Sequence, residues 1–244
     1  MKIVDCKQGT SEWFQARTGK VTASEVKKVM AFGKRGDKKG EPLEARNDYQ
    51  ASLLAEIVSN TPDMEGYLSQ CMKDGKDREP QARAAYELRT ERVVDTVGFV
   101  LHPSIPRYGA SPDGLIGAEG GLEIKCPKLS THLKWIMSGV PPVEHLPQVY
   151  ANMDCAERDW WDLASFCPLV PEPLDLFIWP IMYDQAQIEA LQEGVIQFNK
   201  EIDEMIARLK DIVGEFRIPA AMAAKSDPLL SGLGLSDEDI ARYI

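Results

Sequence analysis

Short strand-like segments fill the middle of the chain, and segments with helical periodicity lie on both sides of them. Runs rich in β-branched residues, interrupted by glycine and proline, predict strands at about 92–101, 108–111, 114–116, 121–126, 160–166 and 174–182. Apolar periodicity predicts helices at about 11–17, 43–59, 65–73, 77–90, 129–139, 145–157 and 185–213. Strands bracketed by helices favour an α/β fold with a mixed central sheet flanked by helices.

The chain shows no obvious internal domain boundary. No glycine- and serine-rich linker divides the first 215 of its 244 residues. A chain of this length can bury a sizeable core. We therefore expect a single domain over residues 1–216, followed by a C-terminal tail, residues 217–244, that ends in a short helix beginning near Ser236.

The helix predicted over residues 185–213 has the most regular pattern in the chain. Its apolar residues recur at alternating spacings of three and four, in the order Ile188, Leu191, Val195, Phe198, Ile202, Met205, Leu209 and Ile212. Such a seam fits a coiled coil with a partner or a long helix packed along the chain's own sheet. We expect the second arrangement, because many long amphipathic helices cover sheets.

The charge distribution bears on the kind of partner. The net charge is −10, which argues against a nucleic-acid binder because phosphate contacts dominate that affinity. Residues 20–46 differ from the rest, with eight Lys or Arg against four Asp or Glu and thus a local charge of +4. Because the local field steers a ligand, this segment is either a basic binding surface or a solvated loop.

Composition excludes several other classes of protein. The five cysteines contain no Cys-x-x-Cys pair and the three histidines are widely spaced, so neither a disulfide framework nor a zinc motif fits. No apolar run approaches the ~20 residues that a membrane-spanning helix needs. The first residues lack the apolar core of a secretory signal, so we expect a cytoplasmic protein with no membrane partner.

Residues 111–125 contain the pattern that says most about chemistry. Asp113 is predicted to end one short strand, and Glu123 and Lys125 lie two apart on the next, so that their side chains emerge on one face. A turn at residues 120–121 would pair the two strands in antiparallel fashion. This pairing would bring the two carboxylates close together.

Two adjacent carboxylates imply a metal site. Together with the backbone carbonyl of Ile124, the carboxylates of Asp113 and Glu123 form a set of hard oxygen ligands, which Mg²⁺ prefers. Lys125 would then lie beside the ion, where it would orient a water and help to deprotonate it. The set suits hydrolysis of a phosphodiester, and exposed charges on a hairpin are the alternative.

Four motifs occur in a fixed order along the chain. They are Gln-Gly-Thr-Ser-Glu-Trp followed by Arg-Thr-Gly-Lys-Val-Thr-Ala-Ser-Glu at residues 8–25, Gly-Lys-Asp-Arg-Glu-Pro followed by Ala-Arg at 75–83, Ser-Pro-Asp-Gly followed by Leu-Glu-Ile-Lys-Cys-Pro at 111–127, and Pro-Gln-Val-Tyr-Ala-Asn-Met at 147–153. Over residues 8–182 this arrangement resembles the YqaJ-type viral recombinases, the family that includes the exonuclease of phage lambda.

The resemblance implies a restriction-endonuclease-like PD-(D/E)xK fold and a nuclease of DNA recombination. Members of the family digest the 5′ strand of linear double-stranded DNA and leave a 3′ overhang. They form a ring-shaped homotrimer around the DNA and work with a single-strand annealing protein, in the cytoplasm of the bacterial host of a phage or prophage. Two alternatives remain at this point, a site-specific endonuclease of the same fold and a DNA-end-binding module without catalysis.

The resemblance also assigns roles at the metal site. Asp113, Glu123 and the carbonyl of Ile124 correspond to metal ligands, and Lys125 corresponds to the residue that activates the attacking water. Glu79 would support a second ion or else be a charge on a helix surface. The cofactor is expected to be Mg²⁺, with Mn²⁺ as a substitute, and two ions are expected.

By the same resemblance, Arg17, Ser24 and Ser111 bind the terminal 5′ phosphate. Guanidinium and hydroxyl donors suit a phosphate dianion. Ser24 is expected in the first turn of a helix that begins at a capping box formed by Thr22 and Glu25. Free backbone N–H groups in that turn would also favour an anion.

The last motif departs from the family pattern. Gln148 corresponds to a substrate-binding glutamine, but Tyr150 stands where family members often have a second one. Tyr150 either replaces a polar contact or packs in the core. His145 is expected to be structural, and Trp160 and Trp161 are expected to lie in the core of a strand.

Overall fold

The structure is a computed structural model, and it describes residues 1–36, 39–63 and 78–219. Its strands are β1 (Lys2–Val4), β2 (Val21–Thr22), β3 (Phe99–Leu101), β4 (Tyr108–Ala110), β5 (Gly114–Ile116), β6 (Gly120–Lys125), β7 (Trp160–Phe166) and β8 (Leu176–Met182). Its helices are α1 (Ser11–Arg17), α2 (Val26–Val29), α3 (Glu44–Ser59), α4 (Glu79–Thr90), α5 (Leu129–Ser138), α6 (Leu146–Ala156) and α7 (Gln185–Val213). The predicted mixed α/β class is confirmed.

The strands divide between two four-stranded mixed sheets. One has the order β1-β3-β4-β2, in which β2 and β4 are parallel and the other pairs are antiparallel. The other has the order β5-β6-β7-β8, in which β6 and β7 are parallel and the other pairs are antiparallel. The segment between β4 and β5 leads directly from one sheet to the other, and it contains Ser111 and Asp113.

Strand β6 is buried along nearly its whole length. From Gly120 to Ile124 every residue is buried, as is typical of strands in a parallel pair that is covered on both faces. The turn between β5 and β6 lies at residues 117–119, and not at Gly120-Gly121 as predicted. The two glycines lie inside β6. These positions need glycine, because a Cβ at Gly120 or Gly121 would overlap the indole of Trp160 or Trp161, respectively, on β7.

Helix α7 has the predicted bounds and packs against its own chain. The first five residues of the seam, Ile188 to Ile202 in the order given above, are buried, whereas Ile212 is exposed. The prediction that α7 packs along a sheet is wrong, however, because the main contacts of α7 are with helices α2, α3 and α6. A side chain of α7 also reaches α6, where Gln192 Nε2 donates to Asp154 Oδ1 at 2.7 Å.

Two local predictions near the sheets are also wrong. The strand expected at 92–101 is reduced to β3, and Asp95 forms only an isolated bridge with Leu115. Thr22 does not form the predicted capping box, because its side chain makes no capping hydrogen bond. It ends β2, and its N–H donates to Tyr49 Oη at 3.2 Å. A three-residue 3₁₀ turn, Ala23–Glu25, follows it before α2 begins.

Some predictions fall outside the described residues. These are the helix at 65–73, the residues of the Gly-x-x-x-Glu motif before Arg78, and the terminal helix near Ser236. Within the described ranges, no helix is both long enough and apolar enough to cross a membrane.

Candidate active site

One cleft of about 670 Å³ contains all the site residues predicted from the sequence. It lies where α1 and the Ala23–Glu25 turn face the ends of β5 and β6 and the first turns of α4 and α6. The predicted residues that line it are Arg17, Ser24, Glu79, Ser111, Asp113, Glu123, Ile124, Lys125 and Gln148.

The antiparallel pairing of β5 with β6 brings the two predicted carboxylates together. Gly114 is opposite Leu122, so Asp113 adjoins Glu123. Asp113 does not end a strand as expected but lies in the bend just before β5, where its Oδ2 accepts the N–H of Ile124 at 2.6 Å. Burial, and then the charges of Glu123 and Glu79, raise the pKa of Asp113 well above its usual range. A divalent cation would neutralise this crowded negative charge.

Glu123 and Lys125 are held by amide side chains of helix α6. Lys125 Nζ donates to Glu123 Oε1 at 2.6 Å and to Gln148 Oε1 at 3.0 Å. Asn152 Nδ2 donates to Glu123 Oε2 at 2.8 Å, and both side chains of this pair are almost completely buried. Gln148 and Asn152 are four residues apart, hence on one helix face, and this face meets the side of β6 that carries Glu123 and Lys125.

Asn152 was not predicted as a site residue. The signal was present in its spacing of four from Gln148 on an expected helix. However, only the structure shows that this helix face meets the Glu-x-Lys strand.

Glu79 is less closely associated with the other carboxylates. It is the first residue of α4, lines the cleft, and forms an ion pair with Arg83 at 2.6 Å. No three His, Cys, Asp or Glu side chains in the described ranges are grouped closely enough to hold a metal ion by themselves. The fit to a metal therefore rests on Asp113, Glu123 and the Ile124 carbonyl, a set of hard oxygens.

The predicted phosphate-binding residues lie near the segment that leads to Asp113. Arg17 Nη1 donates to Ser111 Oγ at 3.1 Å, and Trp13 Nε1 donates to the same oxygen at 2.9 Å. The Arg17 guanidinium lies 4.2 Å from the centre of the Trp13 ring, so the indole holds it in place. Ser24 Oγ lies 3.3 Å from Thr22 Oγ1, in the 3₁₀ turn and not in the first turn of an α-helix as expected.

The basic residues of the segment at 20–46 lie partly in the cleft and partly on the exposed surface. Lysines 20, 27 and 28 line the cleft, and Lys34, Arg35 and Lys39 are exposed. Lys38 lies outside the described residues.

Arg46 does not belong to a DNA-facing surface. It is only 2% exposed, and its guanidinium donates to both carboxylate oxygens of Glu201 at 2.7 and 3.1 Å. The rings of Phe32 and Phe198 lie 4.8 and 4.9 Å from it. Its charge is thus neutralised inside the protein, where it joins α3 to α7.

The remaining predicted residues have clear positions. Tyr150 packs against the main core and is absent from the cleft lining, which favours the packing role over a polar contact. Trp161 is fully buried, and Trp160 lies under the guanidinium of Arg92 at 4.6 Å.

His145, expected to be structural, lines the cleft. Burial, and then the charge of Lys125, lower the pKa of His145 to about 4.

Comparisons with known proteins agree with this fold. The model of the YqaJ-like viral recombinase domain matches residues 12–159, which include Asp113, Glu123 and Lys125. The crystal structure of an alkaline exonuclease, LHK-Exo, from Laribacter hongkongensis is 35% identical, with a TM-score of 0.72. The structure of LHK-Exo in complex with dAMP is 36% identical, with a TM-score of 0.73. In both cases the match covers 83% of this chain and 97% of the other.

A more distant structure shares the fold alone. The crystal structure of a phage-related exonuclease from Haemophilus somnus 129PT is 14% identical, with a TM-score of 0.58 over 78% of this chain and 96% of that one. No curated protein matches the chain. The restriction-endonuclease-like fold and the family resemblance predicted from the sequence are confirmed. The chain belongs to the family of the YqaJ-like viral recombinase domain.

Proposed function

We propose that the protein is a metal-dependent exonuclease that degrades one strand of linear double-stranded DNA from its 5′ end and leaves a 3′ overhang. One observation carries the proposal: a single cleft contains both a carboxylate pair with an adjacent lysine and a separate donor group formed by Arg17 and Ser111. The first set suits phosphodiester hydrolysis, and the second suits a terminal phosphate. Membership of the family and the similarity to an alkaline exonuclease support a nuclease role.

Asp113, Glu123 and the Ile124 carbonyl would hold a Mg²⁺ or Mn²⁺ ion, and Glu79 would support a second one. A divalent ion in such a site lowers the pKa of a bound water and stabilises the charge that develops on the phosphate. The protein fixes the ligands in advance, since Ile124 N–H holds Asp113 and Asn152 holds Glu123. Little reorganisation is then needed when the substrate binds.

Lys125 would position the attacking water. Its ammonium group donates to Glu123 and to Gln148, and these bonds fix the end of an otherwise flexible side chain. Gln148 therefore acts on the reaction by holding Lys125 as well as by any contact with the substrate.

Arg17, Ser24 and Ser111 would bind the 5′ phosphate at the end of the degraded strand. A pocket for a terminal phosphate favours cleavage from an end over cleavage at an internal site. This feature distinguishes the proposal from a site-specific endonuclease with the same core. The presence of Asp113, Glu123 and Lys125 in one cleft favours an enzyme over a module that only binds DNA ends.

The basic residues near the cleft would contact the DNA backbone. Lysines 20, 27 and 28 line the cleft, and Lys34, Arg35 and Lys39 extend the positive charge outward. In a homotrimeric ring, three copies of this surface would face one channel. The 3′ overhang would then serve a single-strand annealing partner. Sedimentation that shows a stable monomer would contradict the ring.

Direction is tested on blunt linear duplex that is labelled at the 5′ or at the 3′ end of one strand. With Mg²⁺, the 5′ label is expected to appear at once as a mononucleotide, while the 3′ label stays in long fragments until late. Early release of the 3′ label would contradict the proposed polarity.

Replacing the exposed bases Lys34, Arg35 and Lys39 by Gln should weaken DNA binding and flatten its salt dependence. Fewer counterions are released when fewer phosphates are neutralised, so the negative slope of log K against log[salt] should become smaller in magnitude by about 2 to 3. The measurement is a salt titration of binding to linear duplex in Ca²⁺, with cleavage suppressed.

A matched triple on α7, Lys200, Arg208 and Lys210 changed to Gln, serves as the control for net charge. The slope of this control should stay close to that of the wild type. If both triples change the slope equally, Lys34, Arg35 and Lys39 do not lie on the DNA path.

Asn152→Ala should lower the cleavage rate about tenfold and weaken the apparent affinity for Mg²⁺ by a similar factor, because Glu123 loses the donor that orients it. The rate is measured as a function of Mg²⁺ concentration. Asn199→Ala is the matched control, since this buried amide donates to Pro106 O away from the cleft. Equal shifts in Mg²⁺ affinity for the two variants would contradict a positioning role for Asn152.

A further inference from the structure

One wall of the cleft is aromatic, although most of its lining is charged or polar. Trp135 on α5 and His145, just before α6, both line the cleft and are half-buried. Their rings meet edge to face, with centroids 5.4 Å apart. An aromatic face of this kind in a polar cleft is a surface on which a planar group can stack.

This wall lies on the Lys125 side of the candidate metal site, since the charge of Lys125 acts on His145. His145 precedes Gln148 by about one helical turn, and Gln148 Oε1 accepts from Lys125 Nζ. Arg17 joins the same site from the side of Asp113, through Ser111. The carboxylates thus lie between Arg17 and the aromatic pair in this chain of contacts.

The charges around the pair fit a nucleotide. His145 is uncharged at neutral pH, since its pKa is lowered to about 4. Lys27 and Lys128 line the same cleft, and the charge of Lys27 acts on His145, so these lysines would bind the phosphates of a nucleotide held there. A neutral aromatic surface flanked by lysines matches a nucleobase with its adjoining phosphates.

We propose that Trp135 and His145 form a stacking subsite for an unpaired nucleobase of the degraded strand, on the 3′ side of the bond that is cut. The inference rests on the proposed function, and it adds a group that the enzyme recognises. With the terminal phosphate at Arg17 and the scissile phosphate at Asp113 and Glu123, the strand continues toward Lys125 and reaches this wall. Stacking there would offset the loss of stacking when the end of the duplex opens.

The test compares an unmodified 5′-phosphorylated duplex with one that carries a tetrahydrofuran abasic residue at the second nucleotide. Release of the first nucleotide is followed in single turnover with Mg²⁺. The wild type is expected to act on the abasic duplex at least about fivefold more slowly, since base–aromatic stacking contributes this much or more. Trp135→Leu should release the first nucleotide of the unmodified duplex more slowly than the wild type, by a similar factor. Its rates on the two duplexes should be nearly equal. Trp135→Phe should restore most of the difference.

Controls separate stacking from stability. Trp135 also packs against the core, so a loss of stability would slow both substrates equally and leave their ratio unchanged. His145→Ala provides a second variant, and it too should reduce the ratio. Met137→Ala, on the same helix and 87% exposed, should keep the wild-type ratio.

Two outcomes would overturn the subsite: equal rates of the wild type on both duplexes, or a wild-type ratio that persists in Trp135→Leu and His145→Ala. A wild type that releases no nucleotide from the unmodified duplex would overturn the proposed function itself.

Discussion

Asp113→Asn and Glu123→Gln are each expected to lower the rate of DNA cleavage by about 10³-fold or more, because each removes a carboxylate from the proposed ion site. Both side chains line the cleft, and Asp113, just before β5, adjoins Glu123 on β6. The amide replacements keep the shape of the side chains, so the protein should stay folded. Rates on linear duplex in Mg²⁺ are measured together with thermal unfolding and with Mg²⁺ or Mn²⁺ binding.

Lys125→Met is the informative companion to these variants. It should be nearly inactive but still bind the ion, because Lys125 is expected to act on the water and not on the metal. Near-normal turnover of either carboxylate variant in Mg²⁺ would contradict the assignment of the site. Loss of ion binding in Lys125→Met alone would contradict the division of roles.

Arg17→Ala is expected to slow digestion of 5′-phosphorylated ends by about ten- to a hundredfold. This is the rate factor that one charge-assisted hydrogen bond contributes when it stabilises the transition state. The wild type should digest 5′-phosphorylated ends faster than 5′-hydroxyl ends, and the variant should largely lose this preference. The structure supports the prediction, since Trp13 and Ser111 hold the Arg17 side chain in the cleft. The measurement is the ratio of initial rates on the two ends.

A purely structural role for Arg17, such as pairing with Glu12, predicts a different result. Stability would fall and both substrates would be slowed equally. Arg107→Ala is the matched control, because Arg107 binds Asp203 through two donors away from the cleft and should keep the wild-type preference. If Arg17→Ala slows digestion of both kinds of end by the same factor, however large that factor is, the result would contradict the phosphate pocket.

Local patterns in the sequence predicted the elements that carry the site. The alternation of Glu123 and Lys125 is a property of a single strand, and it requires only that β6 exists and pairs with β5. The bounds of β7 and α7 also follow from local periodicity, since both are long and regular.

Features that depend on distant contacts could not be predicted in this way. Arg46 has the charge of a DNA-binding residue, but Phe32, Phe198 and Glu201 enclose it, and no local pattern predicts that they meet. Gly120 and Gly121 have the composition of a turn, yet they are needed where the indoles of β7 cross β6. Likewise, Asn152 becomes a site residue only because α6 is placed where its side chain reaches Glu123 on β6.

The central claim, a metal-dependent exonuclease that needs a DNA end, is tested most directly by giving the enzyme linear and covalently closed circular duplex of the same sequence. With Mg²⁺ the linear DNA should be degraded to mononucleotides and a single strand, and the closed circle should remain intact. Chelation of the metal should stop the reaction. Cutting of the closed circle would contradict end-specific cleavage in favour of an endonuclease, and two intact substrates would contradict a nuclease altogether.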